Sequence, residues 1–160
     1  MTLTPEAFWQ YSVNHYGKPG VAEACLILQD NFGINVNLLL LYSWCIAHNI
    51  TLTAETRNAL AVSVATTNPA IEQHRVQRRQ AKGTPQYNAL KQQELNLEAL
   101  QQQALVAVLN TSQNPVTVEN DTKDTNDTMA ADPIDPLERL SCYLNINVNP
   151  DITTHLQAVL

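Results

Sequence analysis

The chain has 160 residues, of which 44% are hydrophobic and 15% charged, and its formal net charge is -6 at pH 7. This length is typical of a single hydrophobic core, and the acidic balance excludes a protein that attracts nucleic acid over its whole surface. The number of cysteines is odd and we see no cationic apolar leader, so we expect a cytoplasmic protein. We expect no membrane partner, because no apolar run reaches the roughly 20 residues that cross a bilayer.

The first predicted helix runs from about residue 5 to residue 16. Pro5 directly after Thr4 is typical of a helix start. Trp9, Val13 and Tyr16 fall on one face of this helix. We predict that this aromatic stripe points into the core.

The next two predicted helices meet at a glycine turn. The second runs from Val21 to Asn31, and Gly33 is expected to end it at a positive φ. Asn35 then caps a third helix that extends to about residue 48. That helix is apolar on nearly every side, so it must be central in the fold.

Two further helical regions follow, and each has a proline near its predicted start. Thr53 caps a fourth helix that is expected to stop near Asn68, and Pro69 opens a fifth helix that carries the cations. Gly83 interrupts this basic helix, and a longer amphipathic helix then runs to Asn110. Leu90, Leu97 and Ala104 recur every seven residues, over too short a stretch for a coiled coil.

The predicted fold class is all-α, with a compact N-terminal four-helix unit followed by the basic helix and the longer amphipathic helix. Residues 111–136 are rich in Asp, Asn, Thr and Pro, which predicts a disordered acidic linker. A small C-terminal helical piece over residues 137–160 docks back on the body. We therefore divide the chain into a helical domain (1–110), the linker (111–136) and a C-terminal segment (137–160).

One long motif resembles a known family. From Phe8 to Trp44 the chain contains an aromatic pair, a Pro-Gly-Val turn, Cys-Leu-x-Leu-Gln-Asp, a glycine and Val-Asn-Leu-Leu-Leu. This pattern resembles that of short bacterial proteins catalogued only as a domain of unknown function. The family pattern also includes an R-x-x-R-R-x-x-K stretch, present here over residues 75–82, and an acid where this chain has Asn35. The resemblance implies a family and no activity.

The fifth predicted helix carries a basic face, which is the first candidate site. Its cations follow the i, i+3, i+4, i+7 spacing with a histidine beside them, and they are His74, Arg75, Arg78, Arg79 and Lys82. We interpret this face as a binding surface because guanidinium groups pair bidentately with carboxylate or phosphate. The alternative is a solvated face balanced by Glu72, or by Glu94 and Glu98 of the next helix.

A polar pocket at the turn between the second and third helices is the second candidate site. Its members carry amides or a carboxylate, and they are Gln29, Asp30, Asn35 and Asn37. These groups could converge on a small ligand. Alternatively, they only satisfy the free N–H groups at helix ends.

No catalytic residue, metal site or cofactor is predicted. A zinc site would have to combine His15, Cys25, Cys45 and His48, which lack the short Cys-x-x-Cys spacing of structural zinc sites. Both cysteines lie in apolar runs, which raise the pKa of a thiol and make it a poor nucleophile. Phosphate loops and nucleophile elbows are absent, so enzymatic activity is left open but not favoured.

For function, the sequence favours a non-enzymatic cytosolic interaction or adaptor protein that binds a protein partner through the basic face. RNA or ribonucleoprotein binding through the same face is the alternative. A small-ligand binder, or an enzyme, with a pocket near Gln29, Asp30 and Asn37 is the third hypothesis. The oligomeric state is not predicted.

Overall fold

Seven α-helices and no strands make up the described part of the chain. The computed structural model describes residues 3–113, 135–147 and 149–160. The helices are α1 (Pro5–Tyr16), α2 (Val21–Phe32), α3 (Val36–Ala47), α4 (Ala54–Gln80), α5 (Tyr87–Gln113), α6 (Pro136–Leu144) and α7 (Pro150–Val159). This arrangement confirms the predicted all-α class. The predicted linker over residues 111–136 lies almost entirely outside the described residues, since residues 111–113 complete α5 and residue 136 begins α6.

Local signals in the sequence set the ends of the first three helices. The Thr4 hydroxyl accepts a hydrogen bond from the N–H of Ala7 at 3.2 Å, and Asn35 Oδ1 accepts one from the N–H of Leu38 at 2.9 Å. Gly33 ends α2 at a φ of 66°, a left-handed conformation that favours glycine. The tight turn that results brings the start of α3 against the end of α2.

Helix α3 is central, as its apolar sequence predicts. All residues from Leu39 to Cys45 are buried, and the helix contacts α1, α2, α4, α5 and α6. Each fully buried leucine contributes about 1.5–3 kcal/mol to folding. Across the described ranges, including this apolar helix, no helix combines the length and the hydrophobicity that a membrane span requires.

Helix α4 is continuous, so the predicted break at Asn68 and Pro69 is wrong. A proline lacks the N–H that would bond to the carbonyl four residues earlier, here that of Ala65. Ala65 is exposed, so water can satisfy that carbonyl. Ile71, just beyond the proline, is 2% exposed, and its burial stabilises the helix on the far side of Pro69.

Helices α4 and α5 pair as an antiparallel hairpin. Contacts between them join Arg75 to Glu94 and Thr67 to Gln101, so residue numbers fall along α4 as they rise along α5. The second half of α5 enters the core. The second half of α5 is therefore packed in the core, and the part of the hairpin nearer its turn lies beside the site described below.

The two C-terminal helices pack on the N-terminal ones, with α6 against α3 and α7 against α2. The Tyr143 hydroxyl accepts a hydrogen bond from the N–H of Leu52 at 3.2 Å. The carbonyl of Val159 accepts one from the Ser43 hydroxyl at 3.2 Å and is also bonded to the His15 ring. Both ends of the chain thus contribute to one core, whereas the division at residues 110 and 136 stays a prediction.

Candidate functional site

A cavity of about 380 Å³ lies between the first five helices. We call it the interhelix cavity. One wall comes from α1, one from the arginines of α4 and one from the acids of α5, and amide side chains of α3, α4, α5 and the α2–α3 turn form its floor. Its volume is within the range of small-molecule sites, which is about 300–1,000 Å³.

The aromatic stripe of α1 lines this cavity, which corrects the prediction that it points into the core. Val13 is 52% exposed, Trp9 and Tyr16 are half-buried, and all three are lining residues. The neighbouring face of α1 is buried instead, and Phe8 on that face stacks on Trp44 with ring centroids 5.2 Å apart. The buried face carries the polar Ser12 and His15 beside Phe8, so helical periodicity alone favoured the wrong face.

The floor of the cavity is a hydrogen-bonded cluster of amides centred on Gln101. This side chain is 1% exposed. Its Oε1 accepts from Asn37 Nδ2 at 2.8 Å and from Asn35 Nδ2 at 3.2 Å, and its Nε2 donates to the Thr67 hydroxyl at 2.8 Å. Asn35 also donates to Asn68 Oδ1 at 3.0 Å. One glutamine therefore ties α5 to both α3 and α4.

Gln102, the next residue, joins the same floor to α1. It is 2% exposed, and its Nε2 donates to the Ser12 hydroxyl and to Asn37 Oδ1, each at 3.0 Å. Its Oε1 is buried without a hydrogen-bond partner among the described residues. A buried acceptor of this kind is costly when unpaired, so it marks a position where a ligand donor would be favourable.

Sequence reasoning missed both glutamines, which lie in a run of three together with the exposed Gln103. A signal exists for Gln101, since it is four residues from Leu97 and four from Leu105 on the inner side of α5. The same periodicity favours Gln102 over Gln103, because Val106 lies four residues after Gln102 whereas Gln103 is four residues from two alanines.

The charged wall is built on Glu94, which is 6% exposed. One of its oxygens accepts from Arg75 Nε at 3.3 Å, and the other accepts from Arg78 Nε. Arg75 also reaches Glu98 through Nη2 at 3.5 Å, and Arg78 donates to the Tyr87 hydroxyl at 3.4 Å. The charged wall thus alternates cations of α4 with anions of α5.

These contacts change the acidity of two groups. The hydrogen bond to Glu94 raises the pKa of Arg78, so this guanidinium stays charged. Burial raises the pKa of Glu98, and the neighbouring Glu94 carboxylate adds to that rise, while Arg75 opposes it. Ionisation of Glu98 is therefore costly in the folded protein.

The residues of the predicted basic face do not all lie at the cavity. Arg75, Arg78 and Arg79 line the cavity, whereas His74 and Lys82 do not. Arg75 and Arg78 are paired with the acids of α5, as the alternative interpretation of a charge-balanced face predicts. The Arg79 side chain is 57% exposed, and its nearest carboxylate, that of Asp30, is 4.0 Å away.

The predicted polar pocket overlaps the same cavity. Gln29, Asn35 and Asn37 are lining residues, whereas Asp30 is not, and its side chain is 55% exposed. Asn35 caps α3 and also lines the cavity, so the two interpretations of this residue are compatible. The structure thus brings most members of the two predicted sites into one place.

The buried thiols are not placed for chemistry. Burial raises the pKa of Cys25 to about 11 and that of Cys45 to about 12, so neither forms a thiolate readily near neutral pH. His15 stacks on Tyr11, with ring centroids 5.0 Å apart. In the part of the chain that the structure describes, no group of three or more His, Cys, Asp or Glu side chains could hold a metal ion.

Taken together, the formal charges of the lining cancel. Three arginines and three glutamates face the cavity, and these are Arg75, Arg78, Arg79, Glu72, Glu94 and Glu98. Apolar side chains lie beside them, and Val13, Leu26 and Leu95 are 52%, 46% and 37% exposed. A wall with this balance suits a small ligand without a large net charge better than it suits a polyanion.

The comparisons with known proteins give a family. The family model described as "Protein of unknown function (DUF2390)" matches residues 7–105. This match confirms the resemblance to a domain of unknown function, and it includes every lining residue of the interhelix cavity. No curated protein matches the chain, and no solved structure matches it.

Proposed function

The chain belongs to this DUF2390 family, and we propose that it is a small-molecule binding protein whose ligand occupies the interhelix cavity. The ligand is a polar organic molecule without a large net charge. The observation that supports this most is the convergence of an aromatic stripe, paired charges and an amide floor on one space of about 380 Å³. Such a mixture of apolar wall and a few oriented polar groups is typical of ligand sites.

Buried polar groups in the floor give further support. Gln101 and Gln102 are 1% and 2% exposed, and a purely structural α5 could carry apolar residues at both positions without the cost of desolvating two amides. An oriented amide cluster costs stability but positions donors and acceptors, which is the usual price of specificity in a binding site.

Protein or RNA binding through the basic face has weaker support. Arg75 and Arg78 already bond to Glu94, so a phosphate or carboxylate partner would have to displace an internal carboxylate. Arg79 and Lys82 are the exposed cations of this face. A pull-down from lysate, with and without nuclease, tests both hypotheses.

A cytoplasmic location also stays a prediction.

Native mass spectrometry of the purified chain, followed by denaturing release of any bound molecule, tests the proposal. We expect a retained small molecule, or a compound from a chemically diverse set that raises the melting temperature. A protein that retains nothing and responds to no compound would refute the proposal.

A pair of valines provides the matched control. Val13 and Val76 are both 52% exposed on helices, but Val13 lines the cavity and Val76 does not. Val13→Trp should obstruct the cavity and weaken ligand binding by about tenfold or more. Val76→Trp should bind as the wild type does. Equal binding by both variants would place the ligand elsewhere.

A further inference from the structure

We propose that the ligand of the interhelix cavity is a small zwitterion of the amino acid type with an apolar side chain, its carboxylate on Arg79 and its ammonium on Glu98. This inference rests on the proposed function and specifies the ligand. It follows from which charged groups of the lining are already committed and which are free to bind.

Arg79 is the least committed cation of the lining. Arg75 and Arg78 each donate to a glutamate within the charged wall, whereas the Asp30 carboxylate, the one near Arg79 among the described residues, is 4.0 Å away and on the surface. The Arg79 guanidinium can therefore accept a carboxylate in the bidentate geometry that arginine favours. An incoming anion there displaces no internal partner.

Glu98 is the corresponding anion, because Glu94 is held by two arginines and Glu72 is exposed to solvent. Its Oε1 makes one contact of 3.5 Å with Arg75, and no hydrogen bond to its Oε2 is present among the described residues. Tyr16 also lines the cavity, and its hydroxyl makes no hydrogen bond in the described ranges. Burial raises the pKa of the Tyr16 hydroxyl. An ammonium group there would have the Glu98 carboxylate as its acceptor.

The positions of the two residues on the hairpin allow one small zwitterion to contact both. Glu98 pairs with Arg75, and Arg79 lies one helical turn further along α4, which is about 6 Å. The long side chains of Arg79 and Glu98 can reach inward over part of that distance. The ammonium and carboxylate of one amino acid, a few bond lengths apart, can then contact both.

The rest of the lining selects the apolar part and opposes other charge types. Trp9, Val13, Leu26 and Leu95 surround the cavity with apolar surface for a side chain. A free phosphate or other multiply charged anion would face the glutamates of the lining, and a simple cation would face its arginines. A zwitterion adds no net charge to a lining that is already balanced.

Titration calorimetry with free L-leucine, L-phenylalanine and L-tryptophan tests the ligand class. At least one should bind the wild-type chain. For that amino acid, the N-acetyl derivative and the carboxamide should each bind about 10- to 100-fold more weakly, because each lacks one charged hydrogen-bonding group. Derivatives that bind as tightly as the parent would overturn the proposal.

Two variants assign the charged groups. Arg79→Gln should remove the preference for the free acid over its carboxamide, and Glu98→Gln should remove the preference for the free amine over its N-acetyl form. Lys91→Gln and Glu55→Gln change exposed charges outside the lining, so both should keep the wild-type preferences. Variants that keep both preferences would also overturn the assignment.

The outcomes separate this inference from the proposed function. If none of the three amino acids binds at millimolar concentration while the purified chain retains another molecule, the zwitterion proposal is wrong and ligand binding stands. If the chain retains nothing and no compound binds, both proposals fail.

Discussion

Removing the Glu94 carboxylate should destabilise the protein more than any other single change in the charged wall. Glu94 accepts hydrogen bonds from Arg75 and Arg78 and is 6% exposed. Breaking a fully buried ion pair by removing one partner costs about 3–5 kcal/mol. The two arginine side chains keep 18% and 22% of their surface exposed, and this partial solvation reduces the expected cost of Glu94→Ala to about 2–3 kcal/mol.

Glu94→Gln should cost less, about 1–2 kcal/mol, because the amide oxygen still accepts from one arginine. Urea denaturation followed by circular dichroism measures both values. A double-mutant cycle of Glu94→Ala with Arg78→Gln should give a coupling energy of about 1–3 kcal/mol. If Glu94→Ala stays within about 0.5 kcal/mol of the wild type, as surface substitutions do, the charged wall does not stabilise the pairing of α4 and α5.

Three further predictions follow from burial. Gln101→Leu should lower the free energy of unfolding by about 1–3 kcal/mol, because it leaves buried amide donors unpaired, whereas Gln103→Leu on the exposed side of α5 should change it little in the same urea titration. A thiol reagent should modify the exposed Cys142 in the native protein and the two buried cysteines only in denaturant, by mass spectrometry; three equally fast thiols would contradict this burial. Folding raises the pKa of Glu98. The contribution of this carboxyl to the free energy of unfolding is therefore largest below the unfolded pKa of about 4.3, and it is lost as the pH rises through the folded pKa. Glu98→Gln should remove that loss, and identical pH–stability curves for variant and wild type would show that the carboxyl ionises without cost.

Most helix ends could be predicted because they depend on residues adjacent in sequence. Thr4 with Pro5, and Gly33 with Asn35, satisfy or terminate backbone groups locally, and the structure uses all four as predicted. Pro69 is the exception. Its local effect disfavours a helix, but the burial of Ile71 is a tertiary contribution that no window of sequence contains.

The candidate site could be predicted only in parts, since it depends on contacts between distant segments. The arginines of α4 and the amides near Gly33 were both identifiable from type and spacing, whereas their convergence needs the α4–α5 hairpin to fold against α1 and α3. The hydrogen-bond partners of Gln101 are separated from it by 34 to 66 positions in the sequence. Residue type alone does not identify such a residue, because glutamine is also abundant on the exposed surface of the same helix.

The double role of the arginines decides which experiment can reveal function. On the sequence alone, replacing Arg75, Arg78 and Arg79 together with glutamine is expected to leave folding intact, because exposed ion pairs contribute only about 0–1 kcal/mol. The pairing of the first two with Glu94 changes that expectation, since their loss leaves a buried carboxylate unpaired. A triple variant that fails to bind could therefore be misfolded. Arg79→Gln alone keeps the charged wall and removes a cation whose contact among the described residues is with a surface carboxylate, so it separates recognition from stability.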